Sequence, residues 1–348
     1  MTSTINMMKK FIYTVIFIIG CFIANAQDPH FSQFFSSPLT LNPAFTGKFD
    51  GLWRLTTNHR DQWPSIPKAY VTTTASLDFP IMTKQLPEGD LFGIGISGLS
   101  DASSNDALKL NYASMSLSYH KALDEDGFNT IGAGFQGTYS SSSIDFSKLT
   151  FEDELQRNGF TPGTSAEYTK GLLPKVNYFD VNAGVLFSGS SDGQNNYYLG
   201  VSMYHINKPK VSFRNSSTTS NSDWFLTNRF TVHGGGSFSL GQTTGLSVSF
   251  IEQMQNKSNE TVLGAAVSMR AGGLDDKPTN LYLGSWLRLN DALIPYLGLE
   301  FGDLRIGTSY DFNISDLKAV TNSKGGAEFS LIYIKHPVEY KGIPCPKF

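Results

Sequence analysis

The feature that most constrains this chain is an alternating hairpin between Tyr178 and Tyr204. Each arm has one apolar face and one face of mostly polar or small residues, and Ser191–Gly193 supplies the turn between them. The apolar positions of the first arm are Phe179, Val181, Ala183, Val185 and Phe187. Alternation of period two over about ten residues, with aromatic ends, is the repeating unit of a transmembrane β-barrel, but a soluble β-sandwich shows it too. The number of such units along the chain must therefore decide the fold class.

The alternating unit recurs along the chain after residue 50. We predict strands at 51–58, 68–79, 91–99, 107–120, 128–139, 177–189, 195–205, 225–240, 244–253, 260–270, 279–288, 292–301, 303–311 and 326–335. Their number is even, as in bacterial outer-membrane barrels. Within 107–120 the alternation changes phase, which a β-bulge or a strand end above the membrane would explain. The predicted fold is all-β, a transmembrane antiparallel β-barrel of about 14 strands.

The lengths of the connections separate a membrane barrel from a sandwich. The three longest connections, at about 140–176, 206–224 and 312–325, are all odd-numbered in chain order, so they emerge at one end of the barrel. Outer-membrane barrels carry long loops outside the cell and short turns in the periplasm. A soluble sandwich gives no reason for this sorting. We therefore expect these loops outside and both chain termini in the periplasm.

Composition agrees with an outer face in contact with lipid and excludes other classes. Charged residues are 16 %, aromatic residues 13 %, and Gly counts 33. After residue 26 no apolar run is long enough for a helix to span a bilayer, which requires about 18 residues. The formal net charge is −3 and no basic block occurs, which argues against nucleic acid as a partner.

The first 26 residues have the features of a secretory signal. Lys9 and Lys10 precede an apolar run, and Ala24-Asn25-Ala26 matches a cleavage site, so the mature chain is expected to begin at Gln27. A lipoprotein cleavage box ending at Cys21 is the alternative. The expected organisation is a signal peptide at 1–26, an N-terminal periplasmic or lumen segment at 27–50, the barrel at 51–335 and a periplasmic tail at 336–348. Cleavage after Ala26 leaves Cys345 as the one cysteine, so no internal disulfide is expected.

The segment 27–50 is too apolar for a free tail and too rich in proline for a strand. We expect it to pack in the barrel lumen. The strand faces opposite the apolar ones carry charges of both signs, which would each cost about 2–4 kcal/mol if they faced lipid. The predicted lumen charges are Asp180, Arg229, Arg270, Arg288, Glu300, Arg305, Asp311 and Glu328. They either form ion pairs in a wet lumen or line an ion-selective or ligand-binding pore.

Motifs for catalysis and metal binding are weak. Gly132–Gly137 matches the dinucleotide-binding spacing, but it lies inside a predicted strand and no helix follows it, so we interpret these glycines as small residues facing a crowded lumen. The six histidines are scattered, no cysteine cluster exists and no nucleophile elbow occurs. We predict no enzyme, no cofactor and no metal site.

Large apolar and aromatic side chains in the predicted outer loops are candidates for a partner surface, since exposed apolar groups of this kind need covering. They can instead pack on one another as a lid, and Trp63 can be an aromatic residue of the membrane interface. The predicted partner-binding residues are Arg60, Gln62, Trp63, Phe151, Phe160, Phe213 and Trp224.

Several stretches, in order, resemble the PorP/SprF family of type IX secretion system outer-membrane proteins. The mature start from Gln27 to Phe35, with Leu41–Gly47 after it, looks like that family's N-terminal signature. Further blocks resemble the family at 60–63, 197–209, 284–288, 306–315 and 345–348. His205-Ile206 departs from the commoner His-Leu. Together the blocks span nearly the whole mature chain.

The resemblance implies an outer-membrane barrel in a Bacteroidota-type cell that serves type IX secretion or gliding motility. It implies a secreted, adhesin-like surface protein with a type IX C-terminal domain as the partner, and periplasmic components of the secretion machine as possible further partners, with outer-membrane lipid around the barrel. Two other functions stay open: a channel for a small solute, and a structural outer-membrane protein without cargo.

Overall fold

The alternating segments form antiparallel strands that close into a barrel. The computed structural model describes residues 28–337 apart from 67–68, 83–84, 170–171, 191, 214–223, 275–276 and 317. The strands are β1 Trp53–Gln62, β2 Tyr70–Ile81, β3 Leu91–Ser103, β4 Leu108–Ala122, β5 Thr130–Ile144, β6 Leu155–Gln156, β7 Gly159–Phe160, β8 Lys175–Ser190, β9 Asn196–Tyr204, β10 Arg229–Ser239, β11 Thr244–Gln255, β12 Ser258–Leu274, β13 Lys277–Arg288, β14 Ala292–Phe301, β15 Leu304–Asn313 and β16 Lys324–Lys335.

Each barrel strand pairs with its sequence neighbours, and β1 pairs with β16 to close the ring. The described barrel has fourteen strands, since β6 and β7 form a separate two-stranded hairpin within one loop. Closure gives every barrel strand two neighbours, so backbone N–H and C=O groups can be satisfied where lipid offers no partner. The predicted all-β barrel is confirmed.

Alternation sets the two faces of the wall. On β8, Val185 is 43 % exposed on the outer face, whereas Leu186 is 1 % exposed in the lumen. The phase change expected in β4 does not come from a bulge, because β4 pairs with β3 and β5 without a shift in register. Leu108 and Leu110 share the inward parity of Ser114 and Ser116 and lie at one end of the strand. Register shifts occur instead between Arg270 and Gly272 and between Asp311 and Phe312.

The connections divide between two rims, as predicted. The long-loop end carries 145–174, 205–228 and 314–323 together with the shorter connections after β1, β3, β11 and β13. The short-turn end carries the connections after β2, β4, β8, β10, β12 and β14.

Within the described residues, helical structure is confined to short pieces. The four-residue helices are α1 Pro38–Leu41 and α2 Lys318–Thr321. The 3₁₀ turns are Phe34–Ser36, Pro43–Phe45, Phe146–Lys148, Glu152–Glu154 and Ala166–Thr169. Pro38 and Pro43 stand at helical N-termini, where a missing N–H costs nothing. No helix among the described residues is long and apolar enough to cross a membrane.

The N-terminal segment packs inside the lumen, as predicted, and its direction was not expected. The chain enters β1 at the short-turn end, where the Leu52 amide donates to the Lys335 carbonyl. The Asp28 amide, however, donates to Gln255 at the long-loop end, 2.9 Å away. The described N-terminal end therefore does not lie at the short-turn end, where both termini were expected, because the segment folds back through the whole lumen. His336 does lie at the short-turn end, beside Asp303. The expected signal at 1–26 and most of the expected tail at 336–348 are outside the described residues.

Candidate functional site

The candidate site is the lumen with the segment that fills it, residues 28–48, which we call the plug. It descends from Asp28 at the long-loop end to Gly47, whose amide donates to Asp78 near the short-turn end at 2.7 Å. Most plug residues are buried. The plug meets the wall through two charged clusters, one apolar patch and one seat of glycines.

The first charged cluster holds the start of the plug. The backbone amides of Ser32 and Gln33 each donate to the Glu328 carboxylate at 2.8 Å. Arg60 lies 2.7 Å from Asp311 and 3.1 Å from Glu328, and it also contacts the Ser32 hydroxyl. Because these charges are buried, removal of one member of an ion pair would leave the other uncompensated, at a high cost in free energy.

Arg288 joins this cluster to the next strands. Its guanidinium donates to the Ser32 hydroxyl at 2.7 Å and lies 3.1 Å from Asp311. It also lies 3.3 Å from Glu260, which in turn pairs with His30 of the plug at 3.0 Å. Cations and carboxylates thus alternate around the plug, so its polar groups are matched by the wall.

The second charged cluster surrounds His205, the residue after β9. Asp180 and Asp28 flank the imidazole, at 2.8 Å from Nδ1 and 2.6 Å from Nε2. Burial lowers the pKa of His205, but the two carboxylates outweigh burial and raise this pKa to about 9. Burial likewise raises the pKa of Asp28, but His205 and Arg229 outweigh it and hold that pKa below its usual value. His205 is therefore an imidazolium at neutral pH.

The apolar patch lies on one side of the lumen. Phe34 and Leu41 of the plug join buried residues of β11 to β14, and the Phe35 ring lies 4.7 Å from the Trp286 ring centroid to centroid. The wall residues of this patch are Ile251, Val262, Ala266, Trp286, Ala292, Ile294 and Tyr296. Burial of these side chains gives the plug a hydrophobic contribution beyond its ion pairs.

The glycine seat lies on β3, β5 and β8 and receives residues 42–47. A Cβ at Gly134 would lie 2.3 Å from the Ala44 nitrogen, and one at Gly93 would lie 2.1 Å from the Thr46 carbonyl oxygen. Asn42 fixes the register: its amide donates to the carbonyls of Val185 and Val201 at 3.1 and 3.2 Å. The glycines are therefore required because the plug backbone touches the wall backbone. Their interpretation as small residues facing a crowded lumen fits Gly132 and Gly134, whereas Gly137 lies on the outer face.

The predicted lumen charges share the inward parity of their strands. Five are buried: Asp180, Arg229, Arg288, Asp311 and Glu328. Arg270, Glu300 and Arg305 are half-buried and lie towards the short-turn end. There Arg305 pairs with Glu300 and stacks 4.4 Å from the Tyr282 ring. The five buried charges contact the plug or its immediate partners.

The predicted partner-binding residues are divided by the structure. Arg60 is 2 % exposed inside the lumen, so it does not lie on a partner surface and instead anchors the plug. Gln62, Trp63, Phe151 and Phe213 are half-buried, and the Trp63 ring packs on Tyr70. Phe160 and Trp224 are 53 % and 73 % exposed at the long-loop end.

Several important residues were not identified from the sequence, among them Asp28, Ser32, Asn42, His205 and Glu260. Their polar side chains carry no spacing signal, since their partners lie on strands far away in the chain. The one available signal was the apolar, proline-rich composition of 27–50, which indicated packing without indicating contacts. No group of metal-ligating side chains occurs among the described residues.

Comparison with known families identifies the chain. The model of the family described as type IX secretion system membrane protein PorP/SprF matches residues 23–333. The chain belongs to this family. It is therefore an outer-membrane component of type IX secretion, and the fold agrees with that placement. No curated protein matches the sequence.

Solved structures with a similar fold include two toluene transporters and a FadL homologue. The toluene transporter TbuX of Ralstonia pickettii is 10 % identical, with 86 % of this chain and 94 % of that chain covered and a TM-score of 0.48. TodX of Pseudomonas putida, another toluene transporter, is 8 % identical, with 88 % and 93 % covered and a TM-score of 0.49. A FadL homologue of Pseudomonas aeruginosa is 11 % identical, with 85 % and 93 % covered and a TM-score of 0.45. At these values the likeness carries no argument about function.

Proposed function

We propose that this PorP/SprF protein is a non-enzymatic outer-membrane component that supports the secretion or surface attachment of an adhesin-like partner with a type IX C-terminal domain. The observation that carries the proposal is the plug, which fills the barrel with the chain's own residues from one rim to the other. A filled barrel is suited to holding a partner at its rim and poorly suited to passing solutes.

The fit between plug and wall favours this role over a solute channel. A cavity beside Asp28 and Arg229 at the long-loop end measures about 10 Å³, which is roughly the room for one water molecule. The plug is held by buried ion pairs at one end and by a backbone-to-backbone seat at the other. Opening a path for a solute through the lumen would break both the ion pairs and the contacts of the glycine seat.

The long-loop end offers the better surface for an adhesin. The hairpin β6–β7 folds around Glu154, which is fully buried and accepts the amides of Phe151 and Gly163 at 3.0 and 2.7 Å. This arrangement leaves the cross-strand pair Leu155 and Phe160 more than half exposed. If the long-loop end faces outside, as in other outer-membrane barrels, this pair faces the partner, and periplasmic machine components meet the short-turn end.

A conductance measurement separates the two functions. Purified protein in a planar bilayer is expected to conduct no ions, and a variant lacking residues 28–47 is expected to conduct. Steady conductance by the intact protein, altered by a small solute, would favour the channel.

Partner retention tests the surface. Replacing residues 151–165 by a Gly-Ser linker, or substituting Leu155→Ser with Phe160→Ser, should leave a folded barrel, because loop changes of this kind are tolerated. Both changes should release the partner from cells into the medium. The control is Leu240→Ser, which removes an exposed apolar residue at the short-turn end. Normal retention by both loop variants, at normal barrel levels, would place the docking surface elsewhere.

A further inference from the structure

Three neighbouring strands of the barrel are long and continue past the lipid-facing part of the wall at the long-loop end. β4 and β5 have 15 residues each and β8 has 16, whereas β9, β14 and β15 have 9 or 10. The pairing of the long strands continues to this end, where Ser143 of β5 faces Lys109 of β4 on one side and Lys175 of β8 on the other. The three strands therefore form one continuous sheet that rises above the membrane.

The outer face of this sheet changes from aromatic to charged in three rows. In the lowest row, Tyr139 and Phe179 are directly paired, and each is 57 % exposed. Aromatic residues in such positions mark the interface between lipid and water. The row above it, in which the side chains are amides and a hydroxyl, consists of Asn111, Ser141 and Asn177. The highest row, which we call the lysine row, consists of Lys109, Ser143 and Lys175.

Strand geometry places the lysine row at the level of the lipid headgroups. From Phe187 to Phe179, β8 spans about 20 Å along the barrel axis at the usual strand tilt, which is close to the height of a lipid-facing band of about 25 Å. Lys175 lies about 10 Å beyond Phe179 by the same geometry. Its side chain is exposed on the outer face, and its long stem lets the ammonium group reach down to phosphates at the membrane surface.

The lysine row carries two cations and no carboxylate. Lys109 and Lys175 are both exposed, and their backbones are two strand spacings apart, which is about 10 Å. Asp145 in the adjoining loop attracts Lys109, but it also attracts Lys148, and its carboxylate accepts from the Ser147 amide and hydroxyl at 3.1 and 2.6 Å. The row therefore presents positive charge on the outer face, directly above the aromatic residues of the interface.

We propose that the outer face of β4, β5 and β8 binds a phosphorylated glycolipid of the surrounding leaflet, with a phosphate group at Lys109 and Lys175 and the sugar on Asn111 and Asn177. The ligand is a lipid because the rows continue the lipid-facing surface of the same strands, so a molecule whose acyl chains pack below Phe179 meets the lysines with its headgroup. A sugar suits a row of amides and hydroxyls that is about 10 Å wide, since it offers several hydrogen-bonding groups side by side. The proposal goes beyond partner retention and does not depend on it.

Lipid binding by the purified protein in detergent tests the proposal. The probes are diphosphorylated lipid A, the same glycolipid after removal of its phosphates, and phosphatidylglycerol, and native mass spectrometry measures the fraction of protein that retains each lipid. The double variant Lys109→Gln with Lys175→Gln should bind the phosphorylated glycolipid about 25-fold more weakly than wild type, because each lysine near anionic lipid contributes a factor of about five. Wild type should bind the dephosphorylated glycolipid and phosphatidylglycerol more weakly than the phosphorylated glycolipid.

The matched control is the double variant Lys257→Gln with Lys324→Gln. It removes the same charge from two exposed lysines at the long-loop end, one in the turn between β11 and β12 and one at the start of β16. Its glycolipid binding should stay within about twofold of wild type, because these lysines lie far from the three rows and weak exposed charges contribute little at that distance. Surface substitutions of this kind should leave both double variants folded, which heat-modifiable migration checks.

Four outcomes would overturn the proposal. Equal loss of binding in the two double variants would show that net charge, and not the lysine row, attracts the glycolipid. Equal binding of the phosphorylated and dephosphorylated glycolipids would exclude recognition of phosphate, and equal binding of phosphatidylglycerol would exclude recognition of the sugar. If Lys109→Gln with Lys175→Gln leaves glycolipid binding intact and instead lowers partner retention on cells, the lysine row belongs to the partner surface.

Discussion

Replacing Gly134 by alanine is expected to unseat the plug. The added Cβ would lie 2.3 Å from the Ala44 nitrogen and 2.4 Å from the Pro43 carbonyl carbon. Both are backbone atoms, so no side chain can rotate away. Restoring ordinary contact at about 3.5 Å requires the plug to move by about 1 Å.

The loss of stability follows from the contacts that this movement disturbs. Overpacking of this kind costs about 1–3 kcal/mol. The Ala44 carbonyl also lies 2.7 Å from His120 Nε2, and weakening that hydrogen bond adds about 1 kcal/mol. We expect Gly134→Ala to lower the free energy of unfolding by about 2–4 kcal/mol.

The matched control is Gly137→Ala, three residues along the same strand. Its Cβ would lie 3.1 Å from the exposed Phe179 ring, which can move into lipid, so a change within about 0.5 kcal/mol is expected. The assay is urea unfolding in lipid vesicles, with bilayer conductance as a second measurement. Equal midpoints and no conductance for either variant would refute the idea that these glycines seat the plug.

Three further predictions concern the wall and the charged clusters. Val185→Arg should destabilise the barrel by about 2–4 kcal/mol because Val185 faces lipid. Ser188→Arg should destabilise it by much less because Ser188 faces inward and contacts Thr130. Equal refolding midpoints of the two variants in vesicles would contradict the assignment of faces. His205 binds its proton more tightly in the folded state, so the stability that it contributes is full below pH 6.5 and is lost as the pH rises towards 9. His205→Gln should flatten this pH dependence of the free energy of unfolding, measured at both ends of that range. Arg60→Met should cost about 3–5 kcal/mol in the same unfolding assay because it leaves buried Glu328 without its cation and Asp311 with Arg288 alone.

The barrel was predictable because each strand carries its own evidence. Alternation identifies a strand from ten consecutive residues, and loop parity adds a second, independent constraint. The wall charges were likewise predictable, since a residue's face follows from its position in the strand. Leu186 shows the limit of this reasoning: it breaks the polar pattern of its face, yet it lies in the lumen at 1 % exposure. A plugged lumen is partly apolar, which alternation alone does not reveal.

The contacts of the plug were not predictable from local patterns. Asn42 binds carbonyls of β8 and β9. Ser32 binds side chains of β15 and β16, which are hundreds of residues away in the sequence. The direction of the plug was missed for a related reason. Counting strands fixes the rim at which β1 begins, but it says nothing about a segment that turns back into the lumen.

The mixture of polar and apolar contacts of the plug indicates how its position in the lumen is specified. Burying ion pairs is rarely the most stabilising choice, because desolvation offsets much of the attraction. Apolar contacts alone, however, would let a short segment slide along the lumen, since Phe34 and Leu41 could pack at neighbouring heights. The Glu328 carboxylate accepts two consecutive plug amides, and Asn42 bridges two wall carbonyls, so a shift by one residue breaks both sets. The charged cluster at one end and the glycine seat at the other therefore specify one position of the plug. A plug fixed in this way also braces β8 at the long-loop end, where His205 lies between Asp28 of the plug and Asp180, and this suits the retention of a surface partner proposed above.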